Sequence, residues 1–298
     1  MSSSLGMVKF SLVICSRNRA ARLAAMLERL DVNDLTRSAV EVNLIDSAST
    51  DSTPDVMREY KEKGGLPVNV ARAVRPGLSV ARNTGINVST GEVIVFTDDD
   101  CYIDANFFSA LSQLWDGKSF QFGGGQILPF NPDDDPASAN MRVQQRVNIP
   151  VRNFLPAGLI QGANMFFARE VFLRAGLFNE NMGAGTPFAC EDIEMATRAS
   201  LQGFSGALLP ELTVLHDHGR KRGSAEAQKT REDYDYGRGA YYASFMLAGH
   251  PQIWELWARQ THGRGGSTPD IMRLAREMDG ARAYLQFITN GSGKVGNH

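Results

Sequence analysis

Short apolar runs alternate with helical periodicity over the first hundred residues. Four apolar runs predict strands, at residues 9–15, 40–45, 68–74 and 92–97. One buried helical face is predicted by the i, i+3, i+4, i+7 spacing of Leu23, Met26, Leu27 and Leu30. Further helices are predicted to begin at Thr53, as a cap followed by Pro54, and at Ser79. This alternation is typical of βαβ units and predicts an α/β fold with a mostly parallel sheet.

Beyond residue 101 the pattern is looser. Strands are predicted at residues 120–128, 164–168 and 206–216, and helices at 105–115, 191–201, 220–248 and 269–288. Residues 131–136, with three aspartates and two prolines, predict a loop. Residues 141–153 are left open between a helix and a mobile segment. The glycines at 123–125 and the small residues around 162 are expected to shape sugar and acceptor pockets.

Composition narrows the class of protein. The 298 residues suffice for one large α/β domain with an appendage, or for two small domains. A net charge of -2 and a pI near 6.2 give no global attraction to nucleic acid, so a small partner is predicted. Cys15, Cys101 and Cys190 are odd in number and far apart, which predicts free thiols in a reducing compartment and argues against a cysteine-ligated metal.

No apolar stretch is long enough for a signal peptide or a membrane span. The N-terminal run at residues 10–15 is too short, and the apolar stretch 243–257 is broken by Gly249, His250 and Pro251. We therefore predict a cytoplasmic protein, with peripheral contact at the inner face of a membrane left open.

An acidic cluster follows the most apolar strand. Asp98, Asp99 and Asp100 come directly after it, where open α/β sheets bind their ligands. If the strand continues, Asp98 and Asp100 point to one side, and their mutual repulsion favours a bound Mg²⁺ or Mn²⁺ with free positions for a diphosphate. A solvated turn that ends the strand is the alternative, and position alone does not decide between them.

The residues around this cluster carry a family resemblance. Residues 76–101 read PGLSVARNTGINVSTGEVIVFTDDDC, which resembles the central signature of the family-2 glycosyltransferases of the GT-A fold. The resemblance extends over residues 8–218 and includes motifs at 15–19, 45–51, 185–187 and 191–192. It implies a GT-A domain with a mixed sheet flanked by helices at residues 7–219, divided near 101 into donor and acceptor halves. Residues 220–298 would form a basic loop and a helical C-terminal extension.

The resemblance also assigns a donor site. Its residues would be Ser16, Arg19, Asp46, Arg82, Asn83, Asp98 and Asp99. Asp46 would hold the uracil or ribose of the donor, while Asp51 in the same turn is expected to be a turn or helix-capping carboxylate. For Arg82 the alternative is an exposed charge on a helix face.

On the acceptor side, the Glu191-Asp192 pair resembles the family's ED pair. Asp192 would be the general base, since an attacking hydroxyl must lose its proton to a carboxylate within hydrogen-bond reach. Burial near Phe188 and Ala189 would raise its pKa. Charge complementarity at a helix N-terminus is the alternative role. Glu191, Gly162 and Asn164 complete the predicted acceptor side.

The predicted metal ligands for Mn²⁺ or Mg²⁺ are Asp100, Asp98, His216 and His218. Which histidine lies near the metal stays open, and Asp217 between them would equally hold one ring by accepting a hydrogen bond from it. The basic residues that follow have three readings: closure over a diphosphate, a solvated linker, or contact with anionic lipid. They are Arg220, Lys221, Arg222, Lys229 and Arg231.

Together these features predict an inverting, metal-dependent glycosyltransferase. It would move a sugar from a nucleotide-sugar donor, of UDP type by family frequency, to a saccharide or lipid-linked acceptor in surface polysaccharide, lipopolysaccharide or glycolipid synthesis. The C-terminal helices would form the acceptor side or a homodimer contact. One alternative is a sugar-phosphate nucleotidyltransferase, whose Gly-rich first loop is replaced here by residues 16–19. The other is a non-catalytic carbohydrate-binding relative.

Overall fold

The computed structural model describes residues 10–136, 142–261 and 270–291. Within these ranges nine strands form: β1 (Phe10–Ser16), β2 (Val40–Asp46), β3 (Val68–Arg72), β4 (Val93–Asp98), β5 (Cys101–Ile103), β6 (Phe122–Pro129), β7 (Val147–Ile149), β8 (Met165–Ala168) and β9 (Gly206–His216). The same ranges contain ten helices: α1 (Ala20–Leu27), α2 (Val32–Arg37), α3 (Thr53–Glu62), α4 (Leu78–Val88), α5 (Phe107–Leu114), α6 (Arg169–Ala175), α7 (Glu191–Leu201), α8 (Ala225–Leu247), α9 (Ile253–Thr261) and α10 (Ile271–Thr289).

All nine strands belong to one mixed sheet. The order is β3-β2-β1-β4-β8-β6-β9-β5, and β7 pairs with β9. The first four strands in this order are parallel, whereas β8 is antiparallel to β4 and to β6. The predicted mixed α/β sheet flanked by helices is confirmed, and its parallel half is the part that the βαβ pattern predicted.

The sheet has helices on both faces, so successive residues of one strand enter different cores. Val13 and Phe96 belong to one buried cluster, while Leu12, Ile14 and Val95 belong to the other. The predicted stripe on α1 is buried in the second cluster through Leu23, Met26 and Leu27, and Leu30, just beyond the end of the helix, joins the same cluster. Burial on both faces explains why these strands read as continuous apolar runs.

Two predicted helix caps were wrong. Gly77 occupies the cap position of α4, with φ of 141°, and Ser79 lies inside the helix and donates to Met182 O at 2.7 Å. Ser52 precedes α3, and the Thr53 hydroxyl instead accepts from the Arg19 backbone N–H at 3.0 Å. In both cases a hydroxyl satisfies a group that is distant in sequence rather than its own helix end.

Residues 142–153 are not helical. They include β7, which pairs antiparallel with the first residues of β9, and residue 141 lies outside the described residues. The glycines of β6 also differ from expectation, because a Cβ at Gly123 or Gly125 would overlap the carbonyl oxygens of Ala207 or Leu212. These glycines therefore permit close approach of β9 instead of shaping a pocket.

The C-terminal helices form a tightly packed pair, α8 against α10. A Cβ at Gly239 would overlap Glu277 O, and a Cβ at Gly280 would overlap Tyr236 O, so the two backbones touch. The buried Glu277 carboxylate accepts from Arg238 Nε at 2.9 Å and from Trp257 Nε1 at 2.8 Å. None of the helices within the described ranges has the length and apolar character needed to cross a membrane.

Candidate functional site

The candidate site lies at the carboxyl ends of β1, β2 and β4. Cys15 is in register with Asp98, and Ser16 is in register with Asp46, so these ends meet at one edge of the sheet. The register of β5 with β9 then brings His216 opposite Cys101. Residues far apart in the sequence thus converge where the acidic cluster begins.

Basic and hydroxyl side chains enclose the second and third aspartates of the cluster. Arg19 spans both, with Nη1 2.5 Å from Asp99 Oδ1 and Nη2 2.7 Å from Asp100 Oδ2. Ser16 Oγ donates to the other oxygen of Asp99 at 2.6 Å, and Arg22 Nη1 lies 3.3 Å from Asp100 Oδ2. Since β4 ends at Asp98, the expected strand alternation does not extend through the cluster. Asp99, which is 2% exposed, binds Ser16 and Arg19 instead of facing the cleft.

The first and third aspartates converge with a histidine, as predicted. Ligand atoms of Asp98, Asp100, Cys101 and His216 lie within 4.8 Å of one another. His216 Nε2 is 3.2 Å from Asp100 Oδ1, and its buried Nδ1 has no hydrogen-bond partner among the described residues. Carboxylate oxygens and an imidazole suit Mn²⁺ or Mg²⁺, so the group fits the predicted ion. Burial raises the pKa of the Cys101 thiol well above its usual value, which makes it a poor ligand.

The structure separates the two candidate histidines. His218 Nδ1 accepts from the Arg220 backbone N–H at 3.0 Å, and its Nε2 lies 3.1 Å from Asp135 O. Because Nδ1 accepts, Nε2 carries the proton and donates to that carbonyl. Both nitrogens of His218 are therefore engaged, and the predicted metal set is corrected to Asp98, Asp100 and His216. Asp217 holds neither ring; it accepts from the Tyr102 hydroxyl at 3.2 Å.

The three aspartates differ in their affinity for protons. Burial alone would raise the pKa of Asp100, but the hydrogen bond and charge of His216, with the charge of Arg19, lower it below its usual range. Burial raises the pKa of Asp99 to about 6 despite Arg19. Burial also raises the pKa of Asp98, against the charge of Arg82. The cluster thus holds one strongly anionic carboxylate and two that gain from a further cation.

Asp46 is buried at the end of β2, and both its oxygens have partners. One forms an ion pair with Arg72, and the other accepts from the Ser49 backbone N–H at 2.8 Å. Asp51 is a turn carboxylate, as expected, and accepts from the Thr53 backbone N–H at 3.0 Å. In the turn that was predicted to contact the base, the Asp46 carboxylate is therefore buried and fully paired, whereas Asp51 is exposed.

Arg82 joins the two halves of the site. Its Nη1 lies 2.6 Å from Glu191 Oε1, and its Nη2 lies 3.6 Å from Asp98 Oδ1. The residue is 2% exposed, so the alternative of an exposed helix-face charge was wrong. The expectation for Asn83 is also corrected: its amide exchanges hydrogen bonds with the Phe178 backbone at 2.9 and 3.0 Å and anchors that loop instead of facing the donor.

Asp192 follows Glu191, the partner of Arg82, in the first turn of α7. Its two oxygens accept from the backbone N–H groups of Gly162 at 2.8 Å and Ile193 at 2.7 Å. Burial, followed by the charge of Glu191, raises the pKa of Asp192 to about 7, against the opposing charge of Arg82. A Cβ at Gly162 would overlap the Arg82 guanidinium, so this glycine allows Arg82 and Asp192 to share the space.

Two predicted acceptor-side residues have other roles. Asn164 is 1% exposed and donates to Gln126 O at 2.9 Å and Leu212 O at 3.0 Å, which ties β6 to β9 where their register shifts. Glu191 is buried and pairs with Arg82 instead of facing the cleft. The residue before it, Cys190, has φ of 80°, a strained value for a side chain with a Cβ, at the start of α7.

The basic segment packs against the acidic loop of residues 131–136. Lys221 Nζ lies 2.6 Å from Asp134 Oδ1, and Arg231 Nη1 lies 2.9 Å from Asp135 Oδ2. Of the three alternatives left open for this segment, a linker without partners does not describe Lys221 and Arg231, although both side chains stay partly exposed. Arg220 differs, since its buried Nε has no hydrogen-bond partner within the described part of the chain.

The comparisons with known proteins identify the family. The profile of glycosyl transferase family 2 matches residues 11–174, more than half of the chain. The protein belongs to this family. The resemblance seen in the sequence is thus confirmed.

Two curated relatives show how far the sequence likeness extends. The chain is 30% identical over 98 residues to the poly(ribitol-phosphate) beta-N-acetylglucosaminyltransferase TarS of Staphylococcus aureus, a match that covers 33% of this chain and 17% of TarS. It is 24% identical over 221 residues to the glycosyltransferase AglE of Haloferax volcanii, which covers 73% of this chain and 67% of AglE. The match therefore spans less than a fifth of the length of TarS.

Solved structures confirm the fold. The mannosyltransferase PcManGT from Pyrobaculum calidifontis, in complex with GDP-Man and Mn²⁺, superposes with a TM-score of 0.64 at 20% identity, over 96% of this chain and 79% of that one. The crystal structure of S. aureus TarS superposes with a TM-score of 0.60 at 17% identity, over 97% of this chain and 46% of TarS. The sheet and its helices are thus those of GT-A glycosyltransferases.

Proposed function

We propose that this protein is an inverting glycosyltransferase that moves a sugar from a nucleotide-diphosphate sugar to an acceptor hydroxyl. One observation carries the proposal: two opposed groups of carboxylates, Asp98 with Asp100 and Glu191 with Asp192, are joined through the buried Arg82. One group suits a cation and diphosphate, and the other offers a base on the acceptor side.

Asp192 is the proposed base. With a pKa of about 7 it is half deprotonated at neutral pH and can take the proton of an attacking hydroxyl. The hydrogen bonds from Gly162 and Ile193 fix its carboxylate, so that the acceptor meets a preorganised group. Attack from this wall, opposite the diphosphate, inverts the anomeric centre.

Asp98, Asp100 and His216 are the proposed ligands of Mn²⁺ or Mg²⁺. When bound, such an ion neutralises charge on the diphosphate as the glycosyl bond breaks. Arg19, which already spans Asp99 and Asp100, contributes a second cation at the same edge. Arg220, whose Nε has no partner among the described residues, is proposed to close over the diphosphate.

The same proposal includes a type of nucleotide and a type of acceptor, both inferred from relatives. TarS has been crystallised with UDP-GlcNAc and PcManGT with GDP-Man, and we favour a UDP-sugar because UDP-GlcNAc and UDP both occur with TarS. A saccharide or lipid-linked acceptor in surface polysaccharide, lipopolysaccharide or glycolipid synthesis is proposed, with cytoplasmic action that includes contact with a membrane surface. The division at residue 219 and a homodimer through the C-terminal helices remain predictions.

Turnover of the donor tests the proposed function. The purified protein is incubated with UDP-GlcNAc, UDP-glucose, UDP-galactose or GDP-mannose, with Mn²⁺ and with no added acceptor, and release of nucleoside diphosphate is measured. We expect slow hydrolysis of at least one donor, abolished by chelation of the metal. A sugar-phosphate nucleotidyltransferase would instead release pyrophosphate from a nucleoside triphosphate and a sugar phosphate, and a binding protein would release nothing.

The raised pKa of Asp192 predicts a pH dependence. Since the base acts deprotonated, kcat/KM for the acceptor should rise with pH, reach half its maximum near pH 7 and fall about tenfold for each unit below that. The donor KM, measured over the same range, serves as the control. A profile that stays flat between about pH 5 and 8 would remove Asp192 from the proton transfer.

A further inference from the structure

Helix α8 lies outside the residues that match the family and contacts the turn before Asp192. A Cβ at Gly237 would lie 2.8 Å from the Cβ and the backbone nitrogen of Ala189, so the helix touches this turn directly. The residues that precede Gly237 and Ala189 also meet: the rings of Tyr236 and Phe188 stack in parallel with centroids 5.9 Å apart. The first half of α8 is thus fixed relative to the proposed base, three residues after Ala189.

Tyr234 shares the helix face of Gly237, one turn nearer the start of α8. Residues three apart on a helix are neighbours on its surface, so Tyr234 extends along the side that contacts the turn before Asp192. The residue is 40% exposed. Among the residues that the structure describes, no group hydrogen-bonds its hydroxyl. A partly exposed tyrosine with an unused hydroxyl is available to a ligand.

The acidic groups near Tyr234 belong both to the proposed metal cluster and to the carboxylate pair that contains the proposed base. Burial raises the pKa of its phenol to about 12; the charge of Arg220 lowers it, and the carboxylates of Asp192, Asp98 and Glu191 raise it. The hydroxyl is therefore within electrostatic reach of the proposed base and of the metal cluster. It keeps its proton at neutral pH, so it can both donate and accept a hydrogen bond.

The start of α8 is held in place. Ser224 caps the helix by accepting from the Ala227 backbone N–H at 3.1 Å, and Arg231 pairs with Asp135 at 2.9 Å. Tyr234 lies one turn beyond Arg231 and one turn before Gly237, between two fixed points. A side chain on a helix anchored on both sides is preorganised for binding.

We propose that Tyr234 binds the acceptor and orients its hydroxyl towards Asp192. This inference rests on the proposed function and adds a residue from the C-terminal helices to the site. The ring offers a flat apolar face and the phenol one donor and one acceptor, a combination that suits a polyhydroxylated acceptor such as a sugar or sugar alcohol. Asp192 would take the proton while Tyr234 holds a neighbouring hydroxyl in place.

The Tyr234→Phe variant removes only the phenol oxygen. The test uses the donor hydrolysed fastest by the wild-type protein and, as acceptor probes, ribitol and the p-nitrophenyl glycosides of glucose, galactose and N-acetylglucosamine. We expect the acceptor KM to rise about tenfold, as for the loss of one hydrogen bond, and donor affinity by calorimetry to change less than about twofold. Tyr236→Phe is the matched control, since its ring stacks on Phe188, and it should retain the wild-type acceptor KM.

The outcomes separate the inference from the proposed function. An unchanged acceptor KM in Tyr234→Phe, with a wild-type protein that transfers sugar to a probe, would overturn the role of Tyr234 alone. A donor affinity that falls while the acceptor KM stays constant would assign Tyr234 to the donor and likewise overturn the inference. If the wild-type protein turns over no donor, the proposed function itself fails and takes the inference with it.

Discussion

Replacing Asp192 with Asn is expected to lower the rate of sugar transfer about a thousandfold while donor affinity stays within about twofold. The amide has nearly the same shape as the carboxylate but cannot accept a proton from the attacking hydroxyl. Transfer is measured as the single-turnover rate with saturating donor, and donor affinity by calorimetry. This is the largest effect predicted for any substitution in the chain.

Folding has to be measured alongside, because the carboxylate accepts from two backbone N–H groups and an amide oxygen can serve only one of them well. Asp55→Asn, at an exposed carboxylate on α3, is the control for a lost charge. A folded Asp192→Asn variant with a wild-type transfer rate would show that another group removes the proton.

Replacing Asp100 with Ala is expected to abolish the gain in affinity for nucleoside diphosphate that Mn²⁺ provides. The affinity measured with Mn²⁺ should fall about tenfold or more. Asp100 is the most anionic carboxylate of the cluster, with a lowered pKa and a short contact to His216. The experiment is calorimetry with UDP and with GDP, each in the presence and absence of Mn²⁺.

The matched control is Asp104→Asn, at an exposed carboxylate that directly follows β5. This variant should keep the Mn²⁺-dependent gain in affinity. Asp100→Ala also removes the partner of Arg19, Arg22 and His216, so its thermal stability is compared with that of the wild-type protein. An Asp100→Ala variant that retains the full Mn²⁺-dependent gain would place the ion elsewhere.

The local pattern of apolar and polar residues was sufficient to predict many of the strands and helices. The runs that became β1 and β4 are buried on both faces, so they read as mostly apolar segments, and β2 is also buried although Glu41, Asn43 and Asp46 interrupt its apolar residues. The strand β7 was not predicted because it is short and, among the described residues, pairs only with the distant β9, and such pairing leaves no period in either sequence. Helix α9 was not predicted because the turn at residues 249–251 interrupts the apolar stretch in which this helix begins.

For the site too, the local sequence predicted some residues, whereas the roles of others depend on partners in distant segments. The convergence of Asp98 and Asp100 with one of two histidines was predicted from strand ends that meet at one edge of a sheet and from the family resemblance, which left the choice of histidine open. The inward roles of Asn83, Asn164 and His218 were not, since their partners are carbonyl or N–H groups of other segments. Arg22 was also missed, although its position three residues after Arg19 places both on one helical face.

Arg82 has a consequence for how a protein with the proposed activity can change over time. A single guanidinium, almost completely removed from water, balances negative charge on the donor wall and on the acceptor wall. Its loss would leave the buried Glu191 carboxylate unpaired and, at the same time, remove a counter-charge from the partly buried Asp98. The preferences for the two substrates are thereby tied to one ion, and a lineage that adapts to a new sugar must keep that ion or rebuild both walls together.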